Sequence, residues 1–173
     1  MKSLVDPSGA TPMPMDVPPI DDQESVLASM IEAKLGTAKA LTSPCRSGAP
    51  PLAGTTCTQV ELACPSVGAE PVVVNLRVLE PPAGTANKGT IVFHSGNEGS
   101  GFYGGTPGTD ALMQNLSTKG YTVVDRGWEG AAGWLTGPGG VAAVACRSGT
   151  LLRYIKENYH HAGGLCATGN SGG

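Results

Sequence analysis

The chain is poor in charge. Only 14% of its 173 residues are Asp, Glu, Lys or Arg, and the net charge is -3. That leaves no basic footprint for nucleic acid or for an anionic membrane. Aromatic residues are scarcer still, at 5%. No apolar run is long enough to span a bilayer. The start, Met1-Lys2-Ser3-Leu4-Val5-Asp6-Pro7, lacks the apolar core of a signal peptide. No internal repeat is visible. The three histidines are His94, His160 and His161, and no Cys/His spacing suggests a zinc site, so neither a metal nor another cofactor is expected.

Glycine (26) and proline (14) are abundant instead. Pro12, Pro14, Pro18 and Pro19 crowd the first 20 residues, where they oppose both helix and ladder, so this stretch reads as an arm. Asp21 and Asp22 can cap a short helix carrying Val26, Leu27, Met30, Ile31 and Leu35, with Gly36 as its stop. Residues 42–56 return to Pro/Gly-rich loop. Residues 1–56 are therefore expected to form an arm with one short helix, and residues 57–173 a folded domain.

Strands are predicted over residues 58–63 and 71–79 as antiparallel neighbours. In the second, Val72, Val74, Leu76 and Val78 alternate with Val73, Asn75 and Arg77. The continuous apolar run Thr90 to His94 predicts a strand buried on both faces. A Gly-rich loop, residues 95–108, leads to a helix ending at Thr118. Tyr121 to Asp125 predicts another buried strand. Residues 126–140 read as a loop holding both tryptophans, residues 141–159 as a helix, and Leu165 to Thr168 as the last strand. Antiparallel strands followed by parallel strand–helix–strand units give an α/β fold.

That last strand runs into Gly169-Asn170-Ser171-Gly172-Gly173. A strand that turns sharply into a helix strains its corner residue, and glycines two before and two after leave room for the neighbouring backbone. The pattern G-x-S-x-G after a strand is that of a nucleophile elbow. Together with the loop His94-Ser95-Gly96-Asn97 after the third predicted strand, it resembles the N-terminal half of the α/β-hydrolase fold, over about residues 60–173. The segment from Ala145-Cys146-Arg147 to Gly172 is similar to a group of poorly described bacterial hydrolases within that fold.

The resemblance implies a serine esterase or amidase. Ser171 would attack an ester or amide carbonyl of a small molecule and pass through an acyl-enzyme. The Gly172 N–H would serve the oxyanion, with a second N–H from Gly96 or Asn97. Ser95 separates His94 from Gly96, a departure from the usual His-Gly pair that leaves the choice between Gly96 and Asn97 open. His94 reads as structural. Trp128, Glu129 and Trp134, in the loop after the fourth strand, are candidates for a substrate pocket at the carboxyl edge; core cover is the competing reading for the tryptophans.

Three other readings use the same residues. His94, Asp125 and Ser171 have the chain order of a trypsin-like protease, but the helical segment 141–159 opposes an all-β barrel. Gly96 to Gly101 followed by Asp125 suggests a dinucleotide-binding module, except that residues 102–108 separate those glycines from the helix. A non-catalytic binding domain of the same fold is the third.

In this fold the acid and histidine follow the serine in sequence, and the sequence stops at Gly173. We therefore expect the front portion of a hydrolase or a truncated product, without turnover by itself. The last strand is then an exposed edge, which invites self-association. Five cysteines cannot all pair within one chain. If the long helix runs antiparallel to the last strand, Cys146 and Cys166 lie at similar height and a bridge between them is expected. Cys45, Cys57 and Cys64 offer one further bridge. Such bridges need an oxidising compartment, which points to export.

Overall fold

The computed structural model describes residues 35–43, 45, 52–96, 99–130 and 132–170. Its elements are β1 (Thr37–Ala40), β2 (Thr56–Cys64), β3 (Ala69–Leu79), β4 (Gly89–His94), α1 (Pro107–Thr118), β5 (Tyr121–Trp128), α2 (Gly140–Tyr159) and β6 (Gly164–Gly169). Two single 3-10 turns, Pro65–Val67 and Gly133–Leu135, join them. The strands form one mixed sheet in the order β1-β2-β3-β5-β4-β6. The junctions from β1 through β3 to β5 are antiparallel, while β4 runs parallel to both β5 and β6. The expected order, antiparallel strands first and parallel units after, is the observed one. No helix among the described residues is long and apolar enough to cross a membrane.

Registers fix which side chains share a face, because laterally paired residues point the same way. Val60 pairs with Val74, Val74 with Trp128, Val78 with Val124, Val124 with Val92, and Val92 with Ala167. This face is covered by Leu151 and Ile155 of α2. On the other face Leu79, Phe93 and Val123 pack against Met113 of α1. Helices thus cover opposite faces, and β4 is buried on both, as its continuous apolar run predicts. Val60, Val74, Leu76 and Val124 are 0% exposed. Each such side chain contributes about 1.5–3 kcal/mol by leaving water.

The structure departs from the sequence reading in several places. Residues 37–40, within the segment read as arm, form β1 and pair with residues 60–63 of β2. The short helix expected from Asp21 lies outside the described residues except for Leu35 and Gly36, which are in no helix. The Gly36 N–H donates to Thr150 Oγ1 at 2.8 Å and its carbonyl accepts from Arg153, tying the start of β1 to α2. β5 continues to Trp128, where a loop was expected from Arg126. The reason is β3. Its 11 residues offer β5 a partner as far as Val74↔Trp128.

The disulfide expected between Cys146 and Cys166 does not form. Cys146 is bonded to Cys64, and Cys166 is free and exposed. The two residues lie on different faces. Cys166 pairs in register with Ile91, which packs on the α1 side, whereas Cys146 lies on α2 across the sheet. Cys64 ends β2 on the α2 side, under the start of α2, where Cys64, Ala69, Ala143 and Cys146 pack together. The further bridge expected in the N-terminal part is Cys45–Cys57.

Candidate functional site at the carboxyl edge of the parallel strands

Three residues lie in one lateral row at the carboxyl ends of β5, β4 and β6. Arg126 pairs with His94, and His94 with Gly169. Because β4 passes the chain to β5 on one side and β6 returns on the other, the strand order reverses here. Open α/β sheets gather ligands at such a point. Gly169 and Asn170 are the last described residues of the Gly169–Gly173 motif; Ser171 and Gly172 lie outside the described residues, as does Asn97. Gly96 lies two residues past His94, in the loop beside the end of β6.

That loop, residues 95–106, is held by bonds at both ends. Ser95 Oγ donates to Gly101 O at 2.5 Å, and Gly99 N–H to Gly96 O at 3.0 Å. The Trp128 N–H donates to Gly99 O at 2.9 Å. Gly99 adopts φ +72°, a backbone region that favours glycine. Further on, the N–H groups of Tyr103 and Gly104 donate to Asp125 at 2.8 and 3.1 Å. Thr106 then caps α1 in a reciprocal pair with Thr109, and Pro107 takes a first-turn position where no backbone donor is needed.

Asp125 anchors this arrangement from below. It is 1% exposed and forms an ion pair with Arg77 at 2.6 Å, the two being direct neighbours across β3 and β5. Burial pushes the Asp125 carboxyl up, while Arg77 and the two backbone donors favour its charged form. The Phe102 ring lies 4.2 Å from the Arg77 guanidinium. Asp125 is thus fully engaged in holding the loop.

His94 lies on the α2 side of the row. The Arg126 Nε–H donates to its Nδ1 at 2.5 Å. That nitrogen therefore carries no proton, and the ring is the neutral Nε2–H tautomer, a donor at its free end. Burial, then the Arg126 charge, lower the His94 pKa to about 4. His94 is not poised as a base, in keeping with its structural reading. His160 and His161 lie at the opposite end of the sheet, His160 at 3.2 Å from Thr90 Oγ1 and His161 at 3.7 Å from Glu80.

The structure splits the three residues offered as a substrate pocket. Trp128 is 3% exposed and belongs to the core under α2. Trp134, in the second 3-10 turn, packs half-buried against that same cluster. Glu129 reaches the α1 side, where its Oε1 accepts from Gln59 at 2.5 Å and Asn75 at 3.3 Å. Glu129 therefore does not face the tryptophans.

Arg126 is a site residue that sequence reasoning missed. It is 2% exposed, with its guanidinium 5.3 Å from the Trp128 ring and 5.8 Å from the Trp134 ring. Burial pushes its pKa down to about 10, against the raising effect of Asp125. The signal in the sequence was Asp125-Arg126 at the end of an apolar strand run, which reads equally well as the start of a loop. Comparison of the chain with protein-family models, with curated proteins and with solved structures gives no match in any of the three.

Proposed function

We propose that this chain carries the nucleophile of a serine hydrolase of the α/β-hydrolase type, acting on a carboxylic ester or amide through an acyl-enzyme. One observation carries the reading. The Gly169–Gly173 motif follows a strand parallel to β4, and the motif's first glycine pairs with His94. A serine two residues on belongs at the carboxyl edge, beside the loop that holds Gly96. In this reading Ser171 is the nucleophile. The Gly172 N–H and an N–H of the loop after β4 receive the oxyanion, as pre-set donors that need no reorganisation. The bonded frame of Asp125, Ser95 and Trp128 keeps that loop in place.

The reading requires an acid and a histidine that take the Ser171 proton. None of the chain's three histidines is disposed for it: His94 Nδ1 is engaged by Arg126, and the other two lie at the far end of the sheet. The mixed sheet with covering helices disfavours the trypsin-like alternative, and the engaged carboxylate of Asp125 disfavours the dinucleotide one. The two disulfides suit an exported protein, and the exposed β6 suits self-association.

The test is labelling by a fluorophosphonate probe, with the whole reading frame expressed, including whatever it encodes past codon 173. Labelling is expected and should vanish in Ser171→Ala. Undiminished labelling in that variant removes Ser171 from its role.

A further inference from the structure

We propose that Arg126, Trp128 and Trp134 form a carboxylate-binding subsite on the α2 side of the carboxyl edge; on the hydrolase reading, the ester substrate then bears a free carboxylate. The starting point is a buried cation. Arg126 is 2% exposed, and among the described residues no carboxylate lies within ion-pair distance of it. Its neighbour in sequence, Asp125, points through the other face and is held by Arg77. Buried charges are ordinarily paired, because an uncompensated one is expensive to remove from water. Two indole rings and a neutral imidazole offset this charge only in part.

The second observation is independent of charge. Arg126 Nη1, Trp128 Nε1 and Trp134 Nε1 are all buried donors without a hydrogen-bond partner among the described residues. Native interiors rarely leave such donors unmet, and each calls for an acceptor. Here three lie together around one guanidinium. Two of them face the same backbone: the chain at Gly99 passes so close that a Cβ there would lie 2.5 Å from Arg126 Nη1 and 3.4 Å from Trp128 Nε1. Gly99, at φ +72°, is the residue that allows this approach.

The chemistry of the donors selects the ligand. A guanidinium whose Nε–H is already given to His94 offers Nη1 as its free donor, and the indoles add neutral donors within apolar walls. A carboxylate matches this set: one negative charge against one positive, and two oxygens for separate N–H groups. A phosphate dianion would exceed the single positive charge and would lose more hydration. The lateral row Arg126, His94, Gly169 sets this subsite two strands from the end of β6, about 10 Å away at the usual strand spacing.

The chain's two tryptophans are both members of the subsite, so its tryptophan fluorescence, excited where tyrosine does not absorb, reports on this place. We would titrate the full-length chain with succinate and with acetate, using dimethyl succinate and sodium chloride as controls. Saturable quenching by the carboxylates is expected, weaker by about tenfold or more for the dimethyl ester and in Arg126→Gln, the range of a lost charge-assisted hydrogen bond. Trp134→Phe, which keeps an aromatic ring and removes one donor, should weaken binding by a smaller factor. This variant decides the matter if thermal melting shows that Arg126→Gln does not fold. Absence of saturation, equal binding of the dimethyl ester, or unchanged affinity in the folded variants overturns the proposal. So does an equal response to chloride, which would mark an adventitious ion only. Ser171→Ala should bind succinate unchanged. Loss of the hydrolase reading with succinate binding intact, or the converse, therefore tells the two apart.

Discussion

Arg126 and His94 are direct neighbours across the parallel pair β5 and β4, and the arginine Nε–H is bonded to the histidine Nδ1. The bond needs a neutral imidazole, and burial together with the Arg126 charge lowers the His94 pKa from 6.5 to about 4. In the unfolded chain His94 takes up its proton near 6.5, whereas the folded protein resists it until about 4. The unfolded state then binds more protons in that window, so stability falls as pH drops from about 6.5 to about 4. Thermal midpoints measured across this range should decline with acid. His94→Gln, whose amide oxygen still accepts from Arg126, should flatten the decline. An unchanged slope in that variant would remove His94 as its source.

A second prediction concerns Asp125. Its carboxylate receives Arg77 and two backbone N–H groups of the loop after β4. Asp125→Ala leaves the Arg77 charge buried without its carboxylate, and should destabilise the fold by about 3–5 kcal/mol. The double variant Arg77→Met/Asp125→Leu removes both charges and should be the more stable of the two. Denaturant midpoints decide it. A double variant as unstable as the single one would mean that the loop contacts, rather than the broken Arg77–Asp125 pair, dominate.

The two disulfides should differ in effect. Cys64–Cys146 spans 82 residues and Cys45–Cys57 only 12. Loop-closure entropy assigns the long one about 4–5 kcal/mol and the short one about 3 kcal/mol. Cys64→Ser/Cys146→Ser should therefore lower the guanidinium midpoint further than Cys45→Ser/Cys57→Ser. A denatured, non-reduced sample should titrate a single thiol per chain, that of Cys166. Three or more titrating thiols would show that one bridge is absent.

The outer edge of β6 bears on association. The strand lies at the end of the sheet, and five of its six residues are exposed. An open ladder edge is a template for another strand. Light scattering on the 173-residue chain should show mass rising with concentration, and Ala167→Lys, which sets a charge on that strand, should reduce it. A monomer throughout the range would dispose of the edge as an interface.

Local pattern determined much of this protein. The alternation in β3, the continuous run of β4, and the glycine and proline punctuation around α1 and α2 are short-range signals, and each element stands where they put it. What the tertiary structure decided were the relations between distant residues. Asp125 ends a predicted strand and Arg126 opens a predicted loop until β3 extends beside both and supplies Arg77, while β4 supplies His94. Burial of the Asp125 charge is tolerable with Arg77 beside it, and no local window contains Arg77 or His94. Cys146 misses Cys166 in both height and face: it is bonded to Cys64 at the far end of β2, whereas Cys166 is level with Ile91 in the middle of β4 and on the α1 side, because a strand residue's place depends on its lateral register and not on the distance along the chain. The orphan donors of Arg126, Trp128 and Trp134 belong to the same class. Residues 126, 128 and 134 are close in sequence, yet only the sheet, by burying them together on one side, turns them into a place that lacks an acceptor among the described residues.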